Sequence, residues 1–199
     1  MDANDAADMM DQEKTSDTFK QRCAILISIL AMLLAITSLG GNNSTKDAAT
    51  NNVLASNFYN FYQAKNMRQT AITLSADLIE LAVLNDPLIP DIPKAELKKK
   101  VEDYRKTIAR YDSEPETGEG KKELLAKAKE HEEKRDRALK QDPYFDYAQA
   151  LLQIAIVLIS VSIIAEAGWL VGIGLALGVL GSLLMINGFL LLVEVPFLG

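Results

Sequence analysis

Residues 148–165, AQALLQIAIVLISVSIIA, and residues 168–193, GWLVGIGLALGVLGSLLMINGFLLLV, are two uncharged apolar runs separated only by Glu166 and Ala167. A third run, CAILISILAMLLAITSL, occupies residues 23–39. A hydrocarbon layer about 30 Å thick is crossed by about 20 apolar residues in a helix that rises about 1.5 Å per residue. The run at 23–39 reaches that length through Gly40 and Gly41, whose missing side chains suit a helix end. The run at 148–165 reaches it with Tyr144, Phe145 and Tyr147 as an interfacial aromatic belt. The last run is long enough to span with some tilt. A chain of 199 residues has no aqueous core able to hide three such helices. No Lys or Arg occurs from Tyr147 to Gly199.

These runs predict an all-α membrane protein in which a long, coiled-coil-like helical stalk is inserted between the first and second of three transmembrane helices. Residues 1–22 read as a disordered acidic tail, 23–41 as the first transmembrane helix and 42–143 as the extramembrane stalk. Residues 144–165 and 168–193 are the second and third transmembrane helices. The first run is expected to be retained as an anchor rather than cleaved as a secretion signal. Six acidic residues precede it, and no small-residue cleavage site follows it.

Charge excludes some partners. The tail before Cys23 has a net charge of −3, residues 42–147 carry 19 acidic and 18 basic groups, and the whole chain is −6. Such a mixed central region lacks the concentrated positive charge that nucleic acid requires. Lys98-Lys99-Lys100 reads as a solvated helix face. Cys23 is the only cysteine, so no disulfide forms within the chain. His131, the only histidine, has no second ligand at metal spacing and reads as an exposed helix residue.

Within the stalk, the stretch from Lys46 to Asn85 contains neither Pro nor Gly and predicts one helix over 46–85. Leu54, Phe58, Phe61, Tyr62, Ile72, Ile79 and Val83 recur along it at helical spacing. Pro87, Pro90 and Pro93 make a stiff turn over 86–93. An interrupted helical arm follows over 94–140. Its first part carries a heptad seam of Leu97, Val101, Tyr104, Ile108 and Tyr111. Pro115, Gly118 and Gly120 interrupt the arm, and Asp142-Pro143 is expected to stop it. A helix leaving the membrane near residue 46 needs a return path arriving near residue 144, which predicts an antiparallel arrangement with the prolines at its tip.

Two stretches carry a resemblance. ASNFYNFYQAK, residues 55–65, resembles the Ala-Ser-x-x-Trp-x-x-Tyr-Gln-Ala-Lys signature of a bacterial membrane family, domain-of-unknown-function family 4337. FDYAQALLQIAIVL, residues 145–158, is similar to that family's second signature. The resemblance covers about residues 15–192. The turn between the last two runs, often basic in the family, reads Glu166-Ala167-Gly168-Trp169 here. The resemblance implies three spans with a helical domain between the first two, and it implies no activity. Tyr62, Gln63, Ala64, Lys65 and Gln153 are its motif residues.

Candidate functional residues follow from the cost of polar groups and the use of small ones in lipid. Ser28, Ala31 and Ala35 lie in a small-residue stripe of the first run, and Gly174, Gly178 and Gly181 in one of the third. Small residues let helices approach closely. The two stripes either pack the spans of one subunit or join subunits. Gln153 is uncharged and reads as interhelical hydrogen-bonding glue rather than a pore constriction. One His, one Cys, no phosphate-binding Gly-rich loop and no nucleophile–base pairing point away from an enzyme, and no catalytic, cofactor or metal residue is assigned. The expected function is a self-associating helical scaffold or interaction protein; the alternative is a small oligomeric channel or transport-accessory subunit. Its expected partners are the lipid bilayer, further copies of itself and a protein at the stalk. Lys14, Lys20 and Arg22 before the first run favour a cytoplasmic N-terminus with the stalk outside, whereas Lys134, Arg135, Arg137 and Lys140 before the second favour a cytoplasmic stalk. The stalk exceeds the short-loop length to which the rule applies, so the expectation is a cytoplasmic N-terminus and a periplasmic stalk, in the bacterial inner membrane that the resemblance implies.

Overall fold

The computed structural model describes the backbone of residues 3–84 and 86–196, and the side chains of residues 17–83 and 86–196. The described residues are mostly helical, with no strand. α1 runs Ala3–Ile79 and ends in a π-helical turn, Glu80–Leu84. α2 is Asp91–Asp112, α3 is Lys121–Ala165 and α4 is Gly168–Leu190. α1, α3 and α4 each contain a segment long and apolar enough to cross a membrane. The chain divides into two compact units, residues 1–48 with 136–199, and residues 49–135.

The first unit gathers the three apolar segments. Its core is Cys23, Leu30, Leu152, Ala155 and Ile159, with Phe19, Leu26, Leu34, Ile156 and Leu177 packed around it. Glycines on α4 permit this packing. A Cβ at Gly174 would sit 2.7 Å from Ile159 Cγ1, one at Gly178 2.7 Å from Leu30 Cδ2, and one at Gly181 3.1 Å from the Ala148 carbonyl oxygen. Each distance is tighter than ordinary van der Waals contact, so a side chain at any of the three would make its neighbour shift, least readily at Gly174 and Gly181, where backbone carbonyls lie at 3.1 Å. α3 and α4 are joined through Glu166, whose φ of 50° places a non-glycine residue in the left-handed region.

Three sequence expectations for this unit change. Residues 17–22, expected to be disordered, belong to α1, and Phe19 packs on the core. Gly40 and Gly41, expected to end a helix, lie inside α1. A Cβ on Gly40 would come within 2.6 Å of Phe145 and 2.9 Å of Phe189, so this glycine serves close approach rather than termination. Pro143, expected to stop a helix, lies inside α3. A proline inside a helix costs about 3 kcal/mol. Offsetting that cost, Tyr144 and Phe145 beside it are buried, and Asp142 accepts a 2.8 Å hydrogen bond from Thr45.

The second unit is an antiparallel helical assembly. α2 and then the start of α3 lie along one face of α1, in reverse order. Arg105 pairs with Asp77 and Glu80 at 3.2 and 3.0 Å. Gln69 Nε2 donates to the Ile108 carbonyl at 3.0 Å. Lys121 donates to Asn66 at 3.2 Å, Tyr59 to Glu132 at 2.9 Å, and the His131 ring meets Asn51 at 2.8 Å. Ala55, Ala76, Val101, Leu124 and Ala128 are buried between the helices. The turn holding Pro87 and Pro90 joins α1 to α2, with Asp86 accepting from the Leu88 amide at 2.8 Å. Phe61, which helical spacing groups with the inward face, is exposed.

Candidate functional site

The break between α2 and α3, residues 113–120, is where polar side chains concentrate in the second unit. α2 ends at Ser113, whose amide donates to Ala109 and whose φ and ψ are extended. Glu123, in the first turn of α3, then accepts from the Ser113 hydroxyl at 2.6 Å and the Glu114 amide at 3.1 Å. This reaches back across the break as a helix-capping carboxylate does. The Ser113 hydroxyl, followed by local backbone amides, holds the Glu123 carboxyl below its ordinary range against a partial desolvation effect. Gly118 has a φ of +66°, and its carbonyl accepts from Lys127 at 2.8 Å.

Lys65 docks on this break from α1. Its ammonium donates to the Glu119 carbonyl, lies 3.5 Å from the Glu114 carboxylate, and sits 5.5 Å from the centre of the Tyr111 ring. Its side chain is 14 % exposed, so its charge is compensated in a largely dry setting. Tyr62 lies one turn earlier, its ring 5.9 Å from the Lys121 ammonium. Lys121 in turn pairs with Asp112 at 3.2 Å. Hydrogen bonding from Gln69, and then from Lys121, lowers the Asp112 carboxyl below its ordinary range. Gln63 and Ala64 are exposed. The motif is therefore split: Tyr62 and Lys65 fasten the α2–α3 break, while Gln63 and Ala64 face outward.

Nearer the other end of this unit, His131 is half-buried rather than exposed. Its ring stacks on Phe58 at 5.5 Å between centroids, with an interplanar angle of 12°. The Tyr59 phenol is raised above its ordinary range, chiefly because it donates to the Glu132 carboxylate. Among the described residues, no three His, Cys, Asp or Glu side chains converge as a metal site.

In the first unit the two small-residue stripes separate. Gly174, Gly178 and Gly181 are buried against α3 and α1, whereas Ser28, Ala31 and Ala35 are exposed. The Ser28 hydroxyl bonds only its own helix, at Ala24. Gln153 is exposed and, among the described residues, has no hydrogen bond to another helix. Glue between α1 and α3 is supplied instead by Ser44, whose buried hydroxyl donates to the Ala138 carbonyl. Asn187, another polar residue of the last run, clasps Val193 through two hydrogen bonds of 2.8 and 2.9 Å. Tyr144 completes this end: its phenol donates to the Val193 carbonyl at 3.2 Å and accepts from the Val195 amide at 2.9 Å. A cavity of about 470 Å³ opens there, with Lys140 and Glu194 at its rim paired at 3.1 Å.

A family model described as a domain of unknown function (DUF4337) matches residues 19–191. The chain belongs to the DUF4337 family. The DUF4337 match takes in all three apolar helices and the whole of the second unit, including the Lys65 contacts and the α4 glycines. No curated protein and no solved structure matches this DUF4337 chain.

Proposed function

We propose that this protein is a non-enzymatic integral membrane scaffold that self-associates and presents a helical stalk to a protein partner. In this reading the three apolar helices cross a bilayer, and residues 49–135 form a coiled-coil-like stalk outside it. The observation that carries self-association is the separation of the small-residue stripes. The glycines of α4 are consumed by packing within the chain, and the Ser28, Ala31 and Ala35 face of α1 is left open. In lipid, helices associate by close packing of such faces. The mass of the full chain in a native-like membrane tests the reading: a defined oligomer supports it, and monomer alone overturns it.

The proposed location is a bacterial inner membrane, in keeping with the family resemblance, and Lys14, Lys20 and Arg22 before the first apolar run favour a cytoplasmic N-terminus and a periplasmic stalk. Cysteines placed at Asp5 and at exposed Glu116 test it through labelling with an impermeant reagent. A Glu116→Cys site protected from the outside reverses the orientation.

Gln153 favours a second reading. An amide on the outer face of an apolar helix is costly in hydrocarbon, and copies arranged in a ring would turn such amides toward a central path. Under this reading, liposomes holding the protein pass ions and Gln153→Leu changes the flux. Electrically silent liposomes leave the scaffold reading standing.

A further inference from the structure

The outward face of α1 in the second unit is built unlike a face meant for water. Between Val53 and Leu78, eight of the exposed residues step by four and three: Val53, Asn57, Asn60, Ala64, Met67, Ala71, Leu74 and Leu78, with exposed Phe61 and Arg68 flanking that line. Val53, Met67, Leu74 and Leu78 are 58, 73, 58 and 65 % exposed. A four-three step sustained over more than three heptads marks the seam of a coiled coil. This seam is distinct from the faces of α1, α2 and α3 that pack within the unit. It ends at the π-helical turn Glu80–Leu84, which breaks the period.

Charge makes the same distinction. Residues 53–78 contain only three charged side chains, Lys65, Arg68 and Asp77. Lys65 is turned toward the α2–α3 break and Asp77 is paired with Arg105. α2, by contrast, carries 12 charged residues among its 22. An exposed helix face normally holds charge in water; here the charge lies on α2, and the open face of α1 is apolar, small or amide-bearing.

The geometry points to a second copy of this chain as the occupant, its α1 lying parallel and in register along this seam. The inference deepens the self-association proposed above and rests on it, by naming the surface and the orientation. Like faces ordinarily repel through like charges; this one has almost none, so a copy of itself meets no electrostatic penalty. Register follows from Asn57 and Asn60. Parallel pairing sets each asparagine beside its counterpart, where primary amides both donate and accept. Antiparallel pairing about the seam's centre would set Asn57 against Leu74 and Asn60 against Ala71, leaving buried amides unpaired. A polar asparagine in such a seam fixes register and partner number. Ala64 and Ala71 lie at the middle of the seam and let the two helices approach closely.

Single cysteines in a Cys23→Ala background, in the full chain reconstituted in lipid, test this. Ala64→Cys and Ala71→Cys are expected to give like-with-like disulfide dimers on mild oxidation, about tenfold more than Lys129→Cys on exposed α3. Met67→Glu, which places like charges face to face, is expected to abolish the crosslink at position 64 while leaving the helical content of the chain unchanged. An oligomer by mass whose Ala64→Cys and Ala71→Cys crosslinks do not exceed that of Lys129→Cys overturns the seam and leaves self-association standing. A crosslink between Ala64→Cys and Met67→Cys chains, without the like-with-like products, overturns the parallel register. Monomer by mass overturns both the seam and the self-association beneath it.

Discussion

The Ser44 hydroxyl and the Ala138 carbonyl meet at 2.5 Å across 94 positions of sequence. Both lie in the first unit, and Ser44 is buried. Ser44→Ala removes the interhelical donor and is expected to cost about 1 kcal/mol. Ser44→Leu also overpacks the contact and is expected to cost about 1–3 kcal/mol. Thermal unfolding of the two variants in detergent checks the order; equal stability of wild type and Ser44→Leu would remove this contact from the account.

The small-residue stripes should respond oppositely to enlargement. Gly174→Leu drives a side chain into Ile159 and is expected to destabilise the first unit by about 1–3 kcal/mol. Ala31→Leu, on the open face, is expected to leave unfolding within about 0.5 kcal/mol of wild type while changing the mass of the assembly in lipid. Unfolding midpoints paired with native mass measurements separate the two effects.

Lys65 holds the α2–α3 break through Glu119 and Glu114. Lys65→Met keeps the length of the stem, removes the ammonium and leaves the Glu114 carboxylate with only the longer Arg110 contact of 3.8 Å. The expected loss is about 2 kcal/mol, felt as faster limited proteolysis within residues 113–120. Unchanged cleavage in that segment would show the contact to be energetically idle.

The carboxyl of Glu123 is lowered in the folded state, so the folded state binds its proton less readily than the unfolded chain does. Its contribution to stability is therefore complete above its ordinary value of 4.5 and is lost as the pH falls through the lowered one. Asp112 acts in the same direction. The second unit is expected to loosen on acidification, and Ser113→Ala to flatten that dependence. Amide exchange at Glu114, followed against pH in both proteins, reads the effect directly.

Local composition made much of this architecture legible. Run length and the absence of charge identified three helices fit to cross a membrane, and the proline cluster located the turn between α1 and α2. What stayed hidden depends on distant partners. Gly40 resembles a helix end until Phe145 and Phe189 are seen to fill the space beside it. Pro143 resembles a stop until its neighbours are seen to be buried. Spacing alone grouped Phe61 with Leu54, Phe58 and Tyr62, because a helix with two apolar faces gives overlapping periodicities. Lys65 stood out as a motif residue, but its role depends on Glu114 and Glu119, about fifty residues away, and no local pattern announces that pairing. The Glu123 clasp on Ser113 is equally silent, since the two lie on opposite sides of the non-helical segment between α2 and α3.

The double duty of the Tyr144 phenol has its own consequence. One oxygen serves the Val193 carbonyl and the Val195 amide together, so the segment beyond α4 leaves Tyr144 in a single event; that event orphans the Val195 amide, while the Val193 carbonyl keeps its bond from Asn187. A fluorinated tyrosine installed at that position would act as a two-level beacon, with one resonance for the fastened tail and another for the released one.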